Sequence, residues 1–230
     1  MKHRTVAVFD IDGTLFRSQL VTELLETMIA EGVVHSEARE HYRTQERHWR
    51  NRTHTFQEYI DGVVCAFMEH IKGVHYSEFD RAARIVGALH KHRVYRFTRD
   101  LIRDCKKEGY YILAISQSPK RVLDVFCSEY GFDKVYGRVY ELGPSDRFTG
   151  VVIDEHLIAN KSTILKRAAE REHLTLTGSI GVGDTGDDIA FLETVDTPIC
   201  FNPNAELYRH AKINSWRVVV ERKDVIYDIQ

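Results

Sequence analysis

Residues Val6-Ala7-Val8-Phe9-Asp10-Ile11-Asp12-Gly13-Thr14-Leu15 decide the fold. Four apolar residues in a row predict a strand buried on both faces, as in a parallel sheet. Two carboxylates, two positions apart, stand at its carboxyl end, where open α/β sheets bind their ligands. Side chains at i and i+2 share one face of a regular strand, and Gly13 permits a tight turn directly afterwards. Acids so close repel one another unless a cation or a shared proton relieves them. The pair is therefore a metal site, an acid/base pair, or both.

Further along, three more segments place polar residues where a strand closes or a helix opens. The run Tyr111-Ile112-Leu113-Ala114-Ile115 ends in Ser116, and Lys161 stands at a predicted helix start in Asn160-Lys161-Ser162. The strand Ser179-Ile180-Gly181-Val182 leads into Gly183-Asp184-Thr185-Gly186-Asp187-Asp188. Strand-to-helix alternation stops after residue 16 and resumes near 98. Between them Val21, Leu24, Leu25, Met28 and Ile29 repeat at helical spacing, and Ser36 to Arg50 is charged and weakly amphipathic. Phe56, Tyr59, Ile60, Val63, Val64, Phe67, Met68 and Ile71 form the clearest stripe. A capping box, Thr55-x-x-Glu58, opens that third helix. A fourth helix starts near Ser77.

After the insert a helix runs to Lys107 and stops at Gly109; another spans about Pro119 to Tyr130. Val135–Leu142 and Phe148–Asp154 flank Gly143-Pro144-Ser145-Asp146 as a hairpin-like excursion. Helix 161–172, strand 179–183, helix 187–195, strand 198–201, helix 204–214 and strand 217–221 follow. Right-handed crossovers then give a doubly wound, three-layer α/β/α, Rossmann-like parallel sheet carrying an inserted helical cap. The expected division is a core of residues 1–16 and 98–230, with the cap at 17–97.

Bulk properties narrow the function. The 230 residues are 43% hydrophobic with a net charge of −2, enough apolar content for a core and too little positive charge for general nucleic-acid binding. Cys65, Cys105, Cys127 and Cys200 are scattered among apolar segments and read as reduced core residues of a cytoplasmic protein. The twelve histidines show no zinc spacing. Met1-Lys2-His3-Arg4 is basic, but the apolar run behind it stops at Asp10, so no signal peptide is expected. No apolar stretch approaches the ~20 residues that span a bilayer, so no integral membrane association is expected.

Asp10-Ile11-Asp12-Gly13-Thr14-Leu15 resembles motif I of the haloacid-dehalogenase (HAD) superfamily, and Ser116, Lys161 and Gly183–Asp188 resemble motifs II, III and IV in order. Ser116-Gln117-Ser118-Pro119, the Phe148-Thr149-Gly150 turn and Asn202-Pro203-Asn204 look like the phosphoserine-phosphatase-like branch, most nearly its subfamily IB hydrolases. The resemblance implies a phosphatase in which Asp10 is the nucleophile and forms an aspartyl-phosphate, a route open to carboxylates. Asp12 would be the general acid/base, with a pKa raised towards working pH. Ser116 would donate to a phosphoryl oxygen, and Lys161 would neutralise charge and hold Asp10. Backbone N–H groups near Ile11, Gly13 and Gln117 would complete the phosphate cradle. Oxygen ligation suits Mg²⁺, held by Asp10, the Asp12 carbonyl, Asp184 and Asp188, with Asp187 outside that set.

Taken singly, each motif has a plain alternative. Asp-x-Asp-Gly is also a calcium-loop fragment, though the later ligands of an EF-hand are missing. Ser116 could be a helix cap, Lys161 a solvated side chain, and Asp187 and Asp188 helix-start residues. Their joint order favours catalysis.

The cap should select the substrate. Phosphoserine phosphatases carry a glutamate leading into the cap, a cap arginine, and two glycines after the motif II serine. Here Gln19, Asp61 and Gln117-Ser118 stand there, which speaks against strict use of L-phosphoserine. Arg17 and Gln19 are expected substrate contacts. Arg39, Arg43 and Arg47 would share a helix face, read as a solvated surface paired with Glu37, Glu40 and Glu46 in preference to a basic rim; Trp49 is expected to pack. The expectation is thus a Mg²⁺-dependent phosphomonoester hydrolase acting on a small phosphorylated metabolite, monomer or homodimer, without nucleic-acid partners. A phosphotransferase sharing the intermediate and a non-catalytic phosphate- or metal-binding module are the alternatives.

Overall fold

The computed structural model describes residues 3–158 and 160–229. Its centre is an eight-stranded sheet of β1 (Arg4–Phe9), β2 (Tyr111–Pro119), β3 (Lys134–Leu142), β4 (Phe148–Ile153), β5 (Leu174–Gly183), β6 (Thr197–Phe201), β7 (Arg217–Arg222) and β8 (Val225–Ile229). The order is β4-β3-β2-β1-β5-β6-β7-β8. The pairs from β3 through to β7 are parallel, while β4 and β8 pair antiparallel at the two edges. The chain winds outward from β1 first to one side and then to the other, so β1 borders the switch point where such sheets bind ligands.

Alternation along the central strands divides the core. Ala7 and Phe9 of β1, with Ile112 and Ala114 of β2, join one apolar cluster; Val6, Val8, Leu113 and Ile115 join another on the opposite face. The first face is covered by α5 (Arg96–Lys107) and α6 (Lys120–Ser128), through Ile102, Cys105, Val122 and Phe126. The second is covered by α8 (Lys161–Arg171), α9 (Ile189–Leu192) and α10 (Ala205–Asn214), through Leu165, Phe191 and Leu207. A short α7 (Glu155–Ile158) precedes α8. The result is the expected three-layer α/β/α arrangement.

Between β1 and α5 stand α1 (Leu20–Ala30), a 3₁₀ turn (Ser36–His41), α2 (Arg43–Arg50), α3 (Phe56–Ile71) and α4 (Tyr76–His90). Their apolar stripes, including Leu24, Met28, Val63, Phe67, Phe79 and Val86, continue the first cluster without a break. The chain leaves and rejoins the sheet along one ribbon: Arg17 N–H donates to the Arg93 carbonyl and Tyr95 N–H to the Leu15 carbonyl, both at 3.0 Å, around a Phe16–Val94 bridge. Thr55 Oγ1 caps α3 by accepting from Glu58 N–H at 3.3 Å, but the Glu58 carboxylate takes the Thr55 hydroxyl, so the reciprocal half of the expected box is absent.

Other expectations are corrected. The segment 36–50 is not one helix, because buried Tyr42 breaks it with φ −128° and donates its hydroxyl to Glu26. Arg39 is therefore separated from Arg43 and Arg47, which stay one turn apart on α2. Arg39 binds Glu26 at 2.6 Å and Arg43 binds Glu40 at 2.6 Å, while Arg50 binds Glu46 at 2.5 Å. Pro119 belongs to β2, not to α6. The helix expected at 187–195 is a 3₁₀ turn, Gly186–Asp188, followed by the four-residue α9. β5 starts earlier than expected and β8 was not expected at all. Cys65 is exposed, lying off the buried stripe of α3, while the other three cysteines are buried.

Candidate active site

Six of the expected residues, Asp10, Asp12, Ser116, Lys161, Asp184 and Asp188, converge at the carboxyl end of the central strands. Asp10 follows β1, its N–H donating to the Val182 carbonyl of β5 at 2.9 Å. Ser116 lies in β2, Asp184 follows β5, and Lys161 opens α8, where Asn160 caps the helix by accepting from Thr163 N–H at 2.9 Å. Asp10, Asp12, Ser116, Lys161 and Asp188 are all buried. Asp10, Asp12, Ser116, Gln117, Lys161, Asp184 and Gln19 line one cavity of about 160 Å³, roofed by Gln57, Ile60 and Asp61 of α3.

Two hydrogen-bond systems share this cavity and hold its two leading acids in different environments. Lys161 Nζ donates at 2.6 Å to Asp10 Oδ1 and at 2.6 Å to Asp188 Oδ1. The other oxygen of Asp188 accepts the backbone N–H groups of Asp184 and Thr185 at 2.9 and 3.1 Å. Asp12 belongs to the second system: its Oδ1 accepts from Leu20 N–H at 2.6 Å and its Oδ2 from Ser116 Oγ at 2.7 Å. Ser116 Oγ also accepts from Ser118 N–H at 2.9 Å. The carboxylate of Asp12 thus faces the insert, and Ser116 is joined to it.

Electrostatics follow from this burial. Desolvation pushes Asp10 up to about 7; Lys161 pulls it down, and Asp188 and Asp12 push it up. Desolvation also raises Asp12, against the hydrogen bonds from Leu20, Ser116 and Ser118. Asp184 is held well above the usual carboxylate range by desolvation and by Asp10 and Asp188. Burial disfavours charge on Lys161 as well, but Asp10 and Asp188 outweigh it and keep the ammonium protonated.

Asp10, Asp184 and Asp188 place one donor oxygen each within 4.8 Å of the others. Three carboxylates face one ammonium, so the cluster carries surplus negative charge that a hard divalent cation would balance. Gly13 makes room for the Asp184 carboxylate. Its φ is +81°, and an added Cβ would stand 2.1 Å from Asp184 Oδ2. The Gly13 N–H, however, donates to the Phe16 and Ser18 carbonyls at 2.9 and 3.3 Å, so the turn already uses the donor expected to bind phosphate. The Ile11 side chain lies in the core.

The remaining candidates are less central. Gln117 lines the cavity but donates to Asp187 at 3.3 Å and accepts from Arg138 at 2.8 Å. Arg17 is exposed, lies over the Tyr95 ring at 5.5 Å, and lines a neighbouring cavity of about 720 Å³. Trp49 is half-buried against Tyr59, with its rings stacked at 5.5 Å, and it also lines that cavity. Gln19, Phe56, Ile60 and Asp184 border both spaces. Arg138 was not anticipated. It sits in β3, lines the smaller cavity with a side chain 15% exposed, and reaches Gln117 across 21 residues, a pairing no local spacing reveals.

The pattern common to haloacid dehalogenase-like hydrolases matches residues 7–193, from within β1 to just past α9. The chain belongs to the haloacid dehalogenase-like hydrolase family. Within that family this hydrolase is phosphoserine-phosphatase-like. It is 25% identical to a histidinol-phosphatase of Neisseria meningitidis serogroup C (strain 8013) over 229 residues, covering 94% of this chain and 98% of that one. It is 23% identical to a phosphoserine phosphatase of Archaeoglobus fulgidus over 203 residues, covering 87% of this chain but only 53% of that longer protein. Among solved structures, a Bordetella pertussis Tohama I protein of unknown function shares the fold with a TM-score of 0.69 at 17% identity, covering 94% and 98% of the two chains. A phosphoserine phosphatase captured as a phospho-aspartyl intermediate analogue shares it with a TM-score of 0.63 at 19% identity, covering 97% and 96%. Among the described residues no helix of this hydrolase is long and apolar enough to cross a membrane.

Proposed function

We propose that this hydrolase is a Mg²⁺-dependent phosphomonoester phosphatase working through an aspartyl-phosphate on Asp10. One observation carries the reading: Asp10 is fixed by Lys161, while Asp12 lies in the same cavity but in a separate hydrogen-bond system. An acid kept apart from the ammonium, with its pKa raised by burial, suits proton transfer. Asp10, Asp184, Asp188 and the Asp12 carbonyl would hold Mg²⁺, which when bound supplies charge neutralisation for the nucleophile and the phosphoryl group.

In the first step an Asp10 oxygen forms a bond to phosphorus, the ester P–O bond breaks, and Asp12 gives its proton to the departing oxygen. In the second, Asp12 takes a proton from water, whose oxygen attacks phosphorus; the bond to Asp10 breaks and inorganic phosphate leaves. Lys161 holds the attacking carboxylate and balances charge throughout. Ser116 orients Asp12 and lies close enough to the cavity to serve a phosphoryl oxygen. Residues 17–97 would act as a cap that excludes water from the first step.

The substrate we infer is a small phosphate ester, not restricted to L-phosphoserine. Gln19, Asp61 and Gln117, which line the cavity, support that choice. Histidinol phosphate and phosphoserine, from the names of the relatives, are the first compounds to try beside polyol and headgroup phosphates. Phosphate release from such a panel with Mg²⁺ tests the reading, comparing wild type with Asp10→Asn and with EDTA. Turnover lost in both supports it. Turnover that survives Asp10→Asn removes Asp10 as nucleophile. Added alcohols that become phosphorylated would identify a phosphotransferase, and Mg²⁺ binding without any turnover a regulatory module.

A further inference from the structure

The helical insert carries a second group of metal-ligating side chains, separate from the acidic cluster. His41 closes the 3₁₀ turn, and Glu69 and His70 lie in the last turn of α3. One donor atom from each stands within 4.8 Å of the other two. His41 Nδ1 faces Glu69 Oε2 at 3.4 Å, and the His41 and His70 rings meet edge-on with centroids 5.5 Å apart. His70 Nε2 is shielded from solvent and has no hydrogen-bond partner among the described residues. A buried polar nitrogen left without a partner is costly, and an ion is one of the few physical reasons for one to persist.

We propose that His41, Glu69 and His70 bind a borderline-soft divalent transition metal, Zn²⁺ foremost. Two imidazoles and a carboxylate form a zinc donor set, whereas Mg²⁺ favours oxygen alone. Bonds of about 2.0–2.2 Å place tetrahedral donors roughly 3.4 Å apart, so the three groups must draw together. The side chains of His41 and Glu69, 36% and 58% exposed, have the freedom to do so around the more enclosed His70. Water would take the open position. α3 already approaches this turn closely at Gly62, where an added Cβ would lie 3.1 Å from Tyr42 Cβ. The metal would pin the turn to α3 and stiffen the wall of the insert.

Calorimetric titration of Zn²⁺ into the full chain carrying Asp10→Asn and Asp184→Asn, which removes two of the three carboxylates of the competing acidic cluster, tests this. One Zn²⁺ per chain is expected. Adding His41→Ala or His70→Ala should weaken it by at least the roughly 10–100-fold that loss of an outer-shell partner costs a metal site. Co²⁺ in place of Zn²⁺ should give the visible absorption of a tetrahedral histidine site. If His70→Ala fails to fold, His41→Ala and Glu69→Gln, both at exposed positions, carry the comparison. In an otherwise wild-type chain His41→Ala should leave turnover unchanged. No zinc binding, or binding unaffected by these substitutions, overturns the site.

Discussion

Asp12 accepts a 2.6 Å hydrogen bond from the backbone N–H of Leu20, the residue that opens the first helix of the insert. The candidate proton donor is therefore oriented by the insert as well as by Ser116, and the distribution of its oxygens can be tested without disturbing the fold.

Asp12→Asn keeps an oxygen to accept from Leu20 N–H and turns an NH2 donor towards Ser116 Oγ, while removing the titrating group. We expect kcat to fall by about 10²–10⁴ for an alkyl phosphate with little change in the thermal midpoint. The loss should be smaller for p-nitrophenyl phosphate, whose leaving oxygen needs no proton. Equal losses for both esters would take the acid role away from Asp12.

Metal-free stability should depend on pH in an unusual direction. Asp10 has a folded pKa of about 7 against an ordinary 3.8, and Asp184 is raised too. Between those values the folded chain holds more protons than the unfolded one, so stability is fullest in acid and falls as pH rises through about 7. A thermal midpoint measured in EDTA from pH 5 to pH 8 should decline. Mg²⁺ should offset the decline and release protons on binding. A midpoint that rises over that range contradicts the assignment.

Gly13→Ala should separate metal binding from folding. The left-handed φ of +81° and the 2.1 Å approach to Asp184 Oδ2 both act against a methyl group. The backbone strain alone costs more than about 0.4–1 kcal/mol, and Asp184 must move. Mg²⁺ affinity measured by calorimetry should drop by roughly tenfold or more while the circular dichroism stays native. Unchanged affinity would mean that Asp184 does not bind the cation.

Lys161→Met leaves Asp10 and Asp188 buried without their ammonium. Removing one partner of a buried ion pair costs about 3–5 kcal/mol. Urea midpoints at pH 8 should show a loss of that order, shrinking at pH 5 as Asp10 takes up a proton. A loss that does not vary with pH would show that Asp10 is not the group left uncompensated.

The architecture was largely legible in the residues. β1 and β2 read as apolar runs because both of their faces are buried, and α3 read as a stripe because it packs on one side only. β8 was missed for the opposite reason: all five of its residues are exposed, so neither period nor burial marks it, and antiparallel pairing with β7 alone defines it. The break at Tyr42 depends on its hydroxyl reaching Glu26, sixteen positions earlier. Asp10, Asp12, Ser116, Lys161 and Asp184 announced themselves by standing at strand and helix ends. Arg138, the larger cavity and the His41–Glu69–His70 group did not, since tertiary packing alone brings distant positions together there.

The two segments that carry the chain out to the insert and back lie side by side, tied at Arg17–Arg93 and Leu15–Tyr95 around the Phe16–Val94 bridge. If the helices above it move as a cap, this paired connection is the hinge pin on which they would turn, like a door. Leu20 sits three residues beyond that pin. Swinging the door wide would draw the Leu20 N–H away from Asp12, and latching it would restore the contact. Under the proposed mechanism, admission of a substrate and arming of Asp12 would then be a single motion. A guest too bulky for the door to shut would go unprocessed for want of a latch, even with its phosphate correctly seated.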